Sequence, residues 1–502
     1  MGSSTAQVTG AQELKRPNAP RGAFRRRLQT LPGALMSLGP AVRASIHAVL
    51  LSTAPPAGSG ASLPEVVLNS ANPPQTLFAV VSEPEPSDLL PFARHTREVT
   101  MRRLDQLGVH PTGSWSVTLV LEDGAAHAQM VVRAILGKNG LARGAVVHFP
   151  APEENNNSTS QESAGTEAKE AVVEAAPVAA STTTIAELAE NFAGGTIAAV
   201  EQRLRQVLAL DAVAVANPGK KVFANLSVVT TFDDVANAFV AMLLTLDPQD
   251  PARRSMIQVL GAEPTLVDRH GSPSLADVDL NRVKKALVYP ALRQALEDPA
   301  LKGRLDNARR RLTQALLEGR KHGLLVFVAA GNSYLSAAAA GDPSASRDLV
   351  MEGVKGAFVV GAADTTGSNP KDHAIAPFSS DGPITAVASG VDVGWALRNG
   401  KLKPISGTSF STPIMLSTAY LVNEIDPKLS VDQLEQLLTD PRVTRDLGST
   451  SRGGAGLVDP LAAILVAQNP QLEERRIEQI LSTLDAHPDR SFPLTQVTAA
   501  QP

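Results

Sequence analysis

Two uninterrupted apolar runs constrain the fold more than any other feature of this chain: LLVFVAA, residues 324–330, and GAFVVGAAD, residues 356–364. A strand with one wet face alternates polar and apolar residues, whereas a strand covered on both faces is apolar throughout. Each run stops at glycine or small residues, which suits a strand entering a loop. Upstream, TIAAVEQRLRQVLAL (196–210) has helical spacing, KKVFANLSVVT (220–230) reads as a strand and VANAFVAMLLTL (235–246) as a helix. Strands that alternate with helices imply an α/β fold around a mostly parallel sheet. Nearer the start, IHAVLLS, PEVVLN, TLFAVVS, SVTLVLE and GAVVHF are short runs bounded by Pro and Gly that also read as strands.

The sheet is interrupted twice. Residues 151–184 lack aromatics and are rich in Asn, Ser, Glu, Ala and Thr, the composition of a disordered insertion. Residues 250–322 are charged and helix-prone, and the run Arg309 to Arg311 reads as the wet face of a helix. The domain organisation expected is a basic tail over 1–44, a main domain over 45–468 holding both insertions, and a tail over 469–502.

Composition excludes more than it assigns. The 502 residues carry 50 acidic and 46 basic side chains, net charge −4, which is no footprint for nucleic acid. Without a single cysteine the chain has no disulfide, thiolate metal site or cysteine nucleophile. Arginines near the start are not followed by a continuous apolar segment, so no signal peptide is read and the expected location is cytoplasmic. No window of eighteen apolar residues supports a membrane span. No phosphate-binding glycine loop and no histidine pair at metal-ligand spacing occurs, so neither cofactor nor metal is expected.

Chemistry concentrates in PISGTSFSTPIM, residues 404–415. Ser409 stands between small residues at the start of an apolar helical segment, where first-turn N–H groups are free and the helix dipole is positive. A serine hydroxyl needs a base, a partner for that base and donors for the oxyanion. The strand VFVAAGNS stops at Gly331 and presents Asn332, whose amide is such a donor. Together, in this order, the two segments resemble the serine and asparagine motifs of the subtilisin-like (S8) serine proteases. APFSSDGP (376–383), AVASGVDV (386–393) and GGAGLVDPLAAI (453–464) extend the resemblance from about residue 324 to 464.

The resemblance implies a subtilisin-like three-layer α/β fold and a serine endopeptidase acting on a protein or peptide substrate. It places the nucleophile at Ser409, the oxyanion donor at Asn332 and the base at His127, within AHAQMVVRAILG. It makes VFANLSVVTT the strand that lines the substrate cleft, with Asn225, Leu226, Ser227 and Gly331 as substrate-binding positions, although Val228 and Val229 stand where the family has glycines. The family's aspartate, at the end of the first core strand, is the point of departure: HAVLLSTAPP aligns best and offers Ser52. Glu122, Asp123 and Glu83 are the nearby carboxylates, and Asp123 is the candidate taken for the fourth catalytic position. The rival expectation is a pseudoprotease that keeps the fold and cleft as a binding scaffold; an esterase is a third reading.

Overall fold

The computed structural model describes residues 100–109 except 101, 116–122, 146–150, and 184–499 except 228, 248, 262–278, 368, 399–400 and 449. His127, Asp123, Ser52 and Glu83 lie outside the described residues, as do the three earliest strand-like runs and residues 151–183.

Five parallel strands form the centre: β1 (Ser116–Glu122), β2 (Val146–Pro150), β3 (Lys221–Leu226), β4 (Leu324–Ala329) and β5 (Phe358–Asp364). The short strands β6 (Ala374–Ile375) and β7 (Ala386–Ser389) follow, then a separate hairpin of β8 (Gly394–Arg398) and β9 (Lys401–Ile405), and finally β10 (Thr444–Arg445) and β11 (Leu457–Val458). The order across the sheet is β10-β11-β7-β5-β4-β3-β1-β2, with β6 added antiparallel to β5 and β10 antiparallel to β11. Every residue of β3 and β4 is buried, as the continuous apolar runs require.

The chain first moves outward from β1 to β2, then resumes at β3 on the other side of β1 and continues outward to β11. The direction of winding therefore reverses between β1 and β3. In an open parallel sheet, connecting segments diverge at such a reversal and leave a crevice at the carboxyl ends of the strands.

One face of the sheet is covered by α1 (Ile185–Ala216) and, further along the chain, by a long charged helix. Thr184 starts α1 by closing a capping box with Glu187, so the helix begins earlier than the apolar spacing suggests. In the chain between β3 and that charged helix come α2 (Phe232–Thr245), α3 (Pro251–Leu260) and α4 (Tyr289–Glu297), the last entered through a π-helical turn at Lys284–Val288, and these pack in a cluster of their own. The charged helix itself is α5 (Pro299–Lys321), started by Asp298, whose carboxylate accepts from the N–H groups of Ala300 and Leu301. Leu305, Leu312 and Leu316 of α5 pack with Val200, Leu204 and Leu210 of α1 and with Val222, Ala224, Leu226, Val326 and Val328 of the sheet.

The run at 309–311 is only in part a wet face. Arg311 is exposed and pairs with Glu201, but Arg309 is largely covered and donates to the Leu349 carbonyl and to Glu352. Three methylenes let that side chain lie along the helix and dock its head on the loop after β4.

The opposite face of the sheet, carrying Phe223, Leu325, Phe327, Phe358 and Val360, packs on α6 (Thr408–Ile425) together with α7 (Val431–Leu438), α8 (Pro460–Gln468) and α9 (Glu474–Ala486). Residues 469–499 are thus part of this core: Ile477, Ile480 and Leu484 are buried in it. Their packing partner is the helical segment 102–106, where the Gln106 amide nitrogen donates to the carbonyls of Leu484, His487 and Arg490 and Arg103 pairs with Asp485. Among the described residues no helix is long and apolar enough to cross a membrane.

Candidate active site

α6 starts at the carboxyl edge of the sheet, and its start is fixed by side chains from the segments that directly follow β3 and β4. Gly331 follows β4 with φ of +101°, a left-handed conformation, and a Cβ there would lie 2.8 Å from Ser380 Oγ and 2.9 Å from Thr231 Cγ2. Only glycine makes that turn without displacing both neighbours. The turn swings Asn332 over the start of α6, where its Oδ1 accepts from the Thr408 N–H at 2.9 Å and from Thr408 Oγ1 at 3.2 Å. Thr408 Oγ1 in turn accepts from the Gly331 N–H at 3.1 Å. Because a backbone N–H can only donate, this contact settles which amide atom is oxygen and leaves Nδ2 as the outward donor. Asn332 is exposed, and a Cβ on Gly407 would stand 3.4 Å from its Nδ2.

Ser409 follows Thr408 in the first turn of α6 and is half-buried. Pro413, four residues on, has no N–H to give to the Ser409 carbonyl. That carbonyl accepts instead from Ser227 Oγ at 3.3 Å, and Ser227 Oγ accepts from Asn225 Nδ2 at 2.8 Å. The proline therefore exchanges a helical hydrogen bond for a tie between the Ser409 turn and Ser227, which directly follows β3. Both ends of the first turn are clamped, one by Asn332 and one by Ser227.

Of the positions expected to bind substrate, Asn225 and Leu226 are fully buried: Asn225 holds Ser227, and Leu226 packs towards α1 and α5. Ser227 is also buried, so any contact it offers a ligand comes from its backbone. Beyond it, Val229 is half-buried with a methyl 3.3 Å from where a Cβ on Gly331 would be.

A second polar cluster backs Asn332. Ser333 Oγ donates to Asp234 Oδ1 at 3.0 Å, while Thr231 Oγ1 donates to Asp234 Oδ2 at 2.7 Å. Burial raises the Asp234 carboxyl above the usual range, opposed by these same hydrogen bonds. Behind it, Tyr334 lies under the Arg452 guanidinium, 3.7 Å from the ring centre, and Arg452 donates to the carbonyls of Ala376 and Ser379. Among the described residues no group of three His, Cys, Asp or Glu is gathered as metal ligands.

Thr408, Pro413 and Arg452 were not among the expected site residues. GTS and STP displayed the first two as small and helix-breaking residues, but Thr408's partners Asn332 and Gly331 lie 76 and 77 positions away, and Ser227, which serves the carbonyl that Pro413 leaves free, lies 182 positions from Ser409.

Residues 296–456 match the Subtilase family, Peptidase S8. Residues 296–456 are subtilase-like. Subtilisin BL of Lederbergia lenta is 31% identical over 153 residues, which is 30% of this chain and 50% of that protein. The chain thus spans about half the length of this curated relative. Among solved structures, MycP1 from Mycobacterium smegmatis is 16% identical, covering 76% of this chain and 85% of that one, with a TM-score of 0.36. Fervidolysin from Fervidobacterium pennivorans is 23% identical, covering 31% and 24%, with a TM-score of 0.24. The subtilase-like segment contains Asn332 and Ser409, and β4 and the start of α6 that carry them. The mostly parallel sheet between two helical layers is the α/β class expected for such a segment.

Proposed function

We propose that the protein is a serine endopeptidase that cleaves peptide bonds through an acyl-enzyme. Ser409 Oγ bonds to the carbonyl carbon as His127 takes its proton; Asn332 Nδ2 and the Ser409 N–H stabilise the oxyanion. The C–N bond then breaks, His127 returns the proton to the leaving amine, and water hydrolyses the ester by the same route. The observation that carries this reading is the Asn332 Oδ1 bond to the Thr408 N–H, because it holds the amide donor outward beside the first turn containing Ser409. A donor held before reaction needs no reorganisation as charge develops. A peptide would lie along the backbone after β3, extending the sheet as an added strand.

A binding scaffold without turnover is the second reading, favoured by Val229 beside Gly331, which narrows the space next to the oxyanion donor. Intact-mass measurement after exposure to a fluorophosphonate, run beside Ser409→Ala and His127→Ala, separates the two. Labelling of the unaltered protein alone supports the peptidase; an unlabelled protein under conditions that modify a control serine protease supports the scaffold.

A further inference from the structure

Thr408 holds the Asn332 amide from one side; the chain directly after Asn332 is held from the other, by two consecutive carboxylates in the first turn of α2. Ser333 stands at the cap position of the short helix Tyr334–Ala339, where a serine hydroxyl ordinarily accepts from a first-turn N–H. It makes no such bond here: the hydroxyl turns away from the helix and donates to Asp234 Oδ1 at 3.0 Å, with Thr231 Oγ1 2.9 Å away. One turn further along the same helix, Ser336 Oγ accepts from Lys284 Nζ at 2.8 Å, and that ammonium is paired with Asp233 Oδ1 at 2.8 Å. Neighbouring residues of a helix point about 100° apart. Asp233 and Asp234 nevertheless reach the same stretch of chain, one directly and one through a lysine.

Both arms depart from what local structure alone would choose. Ser333 forgoes the cap of its own helix, and Lys284 is presented by a π-helical turn, a rare geometry that recurs at functional sites. Neither carboxylate needs its arm for pairing. Asp234 already closes a capping box, accepting from Thr231 Oγ1 at 2.7 Å and from the Thr231 N–H at 3.2 Å, and Asp233 also accepts from the Tyr289 hydroxyl and from Asn237. The backbone between the two arms is pinned as well. The Ser333 N–H donates to Ser380 Oγ at 3.1 Å and the Tyr334 N–H to the Phe378 carbonyl at 3.2 Å, while the Ser380 N–H returns to the Gly331 carbonyl at 3.0 Å. Departures from local preference that converge on one turn mark a position the fold holds for a purpose other than stability.

We propose that Asp234, with Lys284 as a second arm carried by Asp233, is a positioning residue for the Asn332 amide: the two arms fix the chain after Asn332 so that Nδ2 stays where the oxyanion forms. The inference rests on the peptidase reading, in which Asn332 is the oxyanion donor. It gives the helical insertion a part in the chemistry, because Lys284 belongs to that insertion and the placing of the donor depends on its docking against α2.

The test is fluorophosphonate modification of Ser409, read by intact mass against reagent concentration, for the full chain and for Ser333→Ala, Ser336→Ala and Asp234→Asn, each alone and combined with Asn332→Ala, with the thermal transition of every variant recorded. Ser333→Ala leaves Asp234 its Thr231 partner and Ser336→Ala leaves Lys284 paired with Asp233, so neither strands a charge. Ser333→Ala is expected to lower the maximal rate on the order of tenfold, the scale of one hydrogen bond to a charged group, and Ser336→Ala about threefold. The half-saturating concentration should stay unchanged, since a displaced oxyanion donor is felt in the transition state. Asn332→Ala alone should lower the rate by about 10²–10³. In that background the serine variants should slow modification no further, because the group they position is gone, whereas a merely structural loss would multiply through both backgrounds. Asp234→Asn should also slow modification, and combined with Ser333→Ala should cost no more than the larger single loss, because both cut one bond. Losses that multiply in either combination overturn the proposal, as does a native maximal rate in either serine variant. If the unaltered protein is not modified at all, the peptidase reading falls and this one with it, whereas multiplying losses in a protein that is modified remove the positioning role alone.

Discussion

Replacing Lys284 by methionine removes a charge while keeping the side chain's length, and the structure says what is left behind. Lys284 is 1% exposed and Asp233 is 0% exposed; Nζ stands 2.8 Å from Asp233 Oδ1 and 2.8 Å from Ser336 Oγ. Asp233 also accepts from the Tyr289 hydroxyl and, at 3.1 Å on Oδ2, from Asn237 Nδ2. Breaking a buried pair by removing one partner costs about 3–5 kcal/mol, because the other charge stays desolvated. Two donors remain on Asp233, which argues for the lower end, about 3 kcal/mol. Asp233→Asn strands the ammonium instead, at a comparable cost. The double variant leaves no charge, so its loss should be smaller than the sum by about 2 kcal/mol or more. Urea unfolding followed by circular dichroism at one fixed pH, with the slopes compared for all four proteins, measures this. A loss below about 1 kcal/mol in Lys284→Met, or single losses that add within about 0.5 kcal/mol, would refute the view that this pair pins the helical insertion to α2.

Ser227→Ala should cost about 1–3 kcal/mol by leaving the Ser409 carbonyl without its donor and Asn225 Nδ2 without its acceptor. In a Pro413→Ala background the new N–H can serve that carbonyl, so the Ser227→Ala penalty should shrink; equal penalties in the two backgrounds would contradict the exchange. Asp348 is buried, which pushes its carboxyl up to about 6 from 3.8, against the opposing influence of Arg203 and of backbone N–H groups including that of Val350. The folded state then binds more protons than the unfolded state between pH 4 and 6, so stability from this group is full below pH 4 and falls as pH rises through 6. Asp348→Asn should flatten that slope and gain up to about 3 kcal/mol at pH 7, from about 1.4 kcal/mol for each unit of displacement; denaturation midpoints at pH 4 and pH 7 check both.

Sequence reading located the parts of the site that are local. LLVFVAAGNS became β4 and the Gly331 turn, and PISGTSFSTPIM became the start of α6, because a buried strand and a small-residue helix start announce themselves within a dozen residues. VTLVLED and GAVVHF became β1 and β2. What stayed hidden depends on partners far along the chain. Residues 469–502 read as a tail, helical and then punctuated by proline, with no partner assigned, yet α9 buries Ile477, Ile480 and Leu484 in the core; its other half, 102–106, is nearly 380 positions away, and nothing in either segment names the other. The same holds for register. Glu122 and Asp123 are adjacent acids in the sequence, and only the pairing of β1 with β2 sets Glu122 beside Pro150.

The seam between Gln106 and residues 484–490 has a consequence for how the molecule is made. During synthesis β1 and its preceding helical segment emerge early, but the carbonyls that satisfy Gln106 and the Leu484 side chain that packs there arrive about 380 residues later. Chain elongation at roughly 5–20 residues per second separates the two by tens of seconds. Ser409 and α6 emerge about 300 residues into that interval, so the core under α6 stays open on one side for roughly the last 75 residues of it, until Leu484 arrives. Completion of the fold is thereby a timer, and any chaperone acting on this protein would meet it with that flank unsealed.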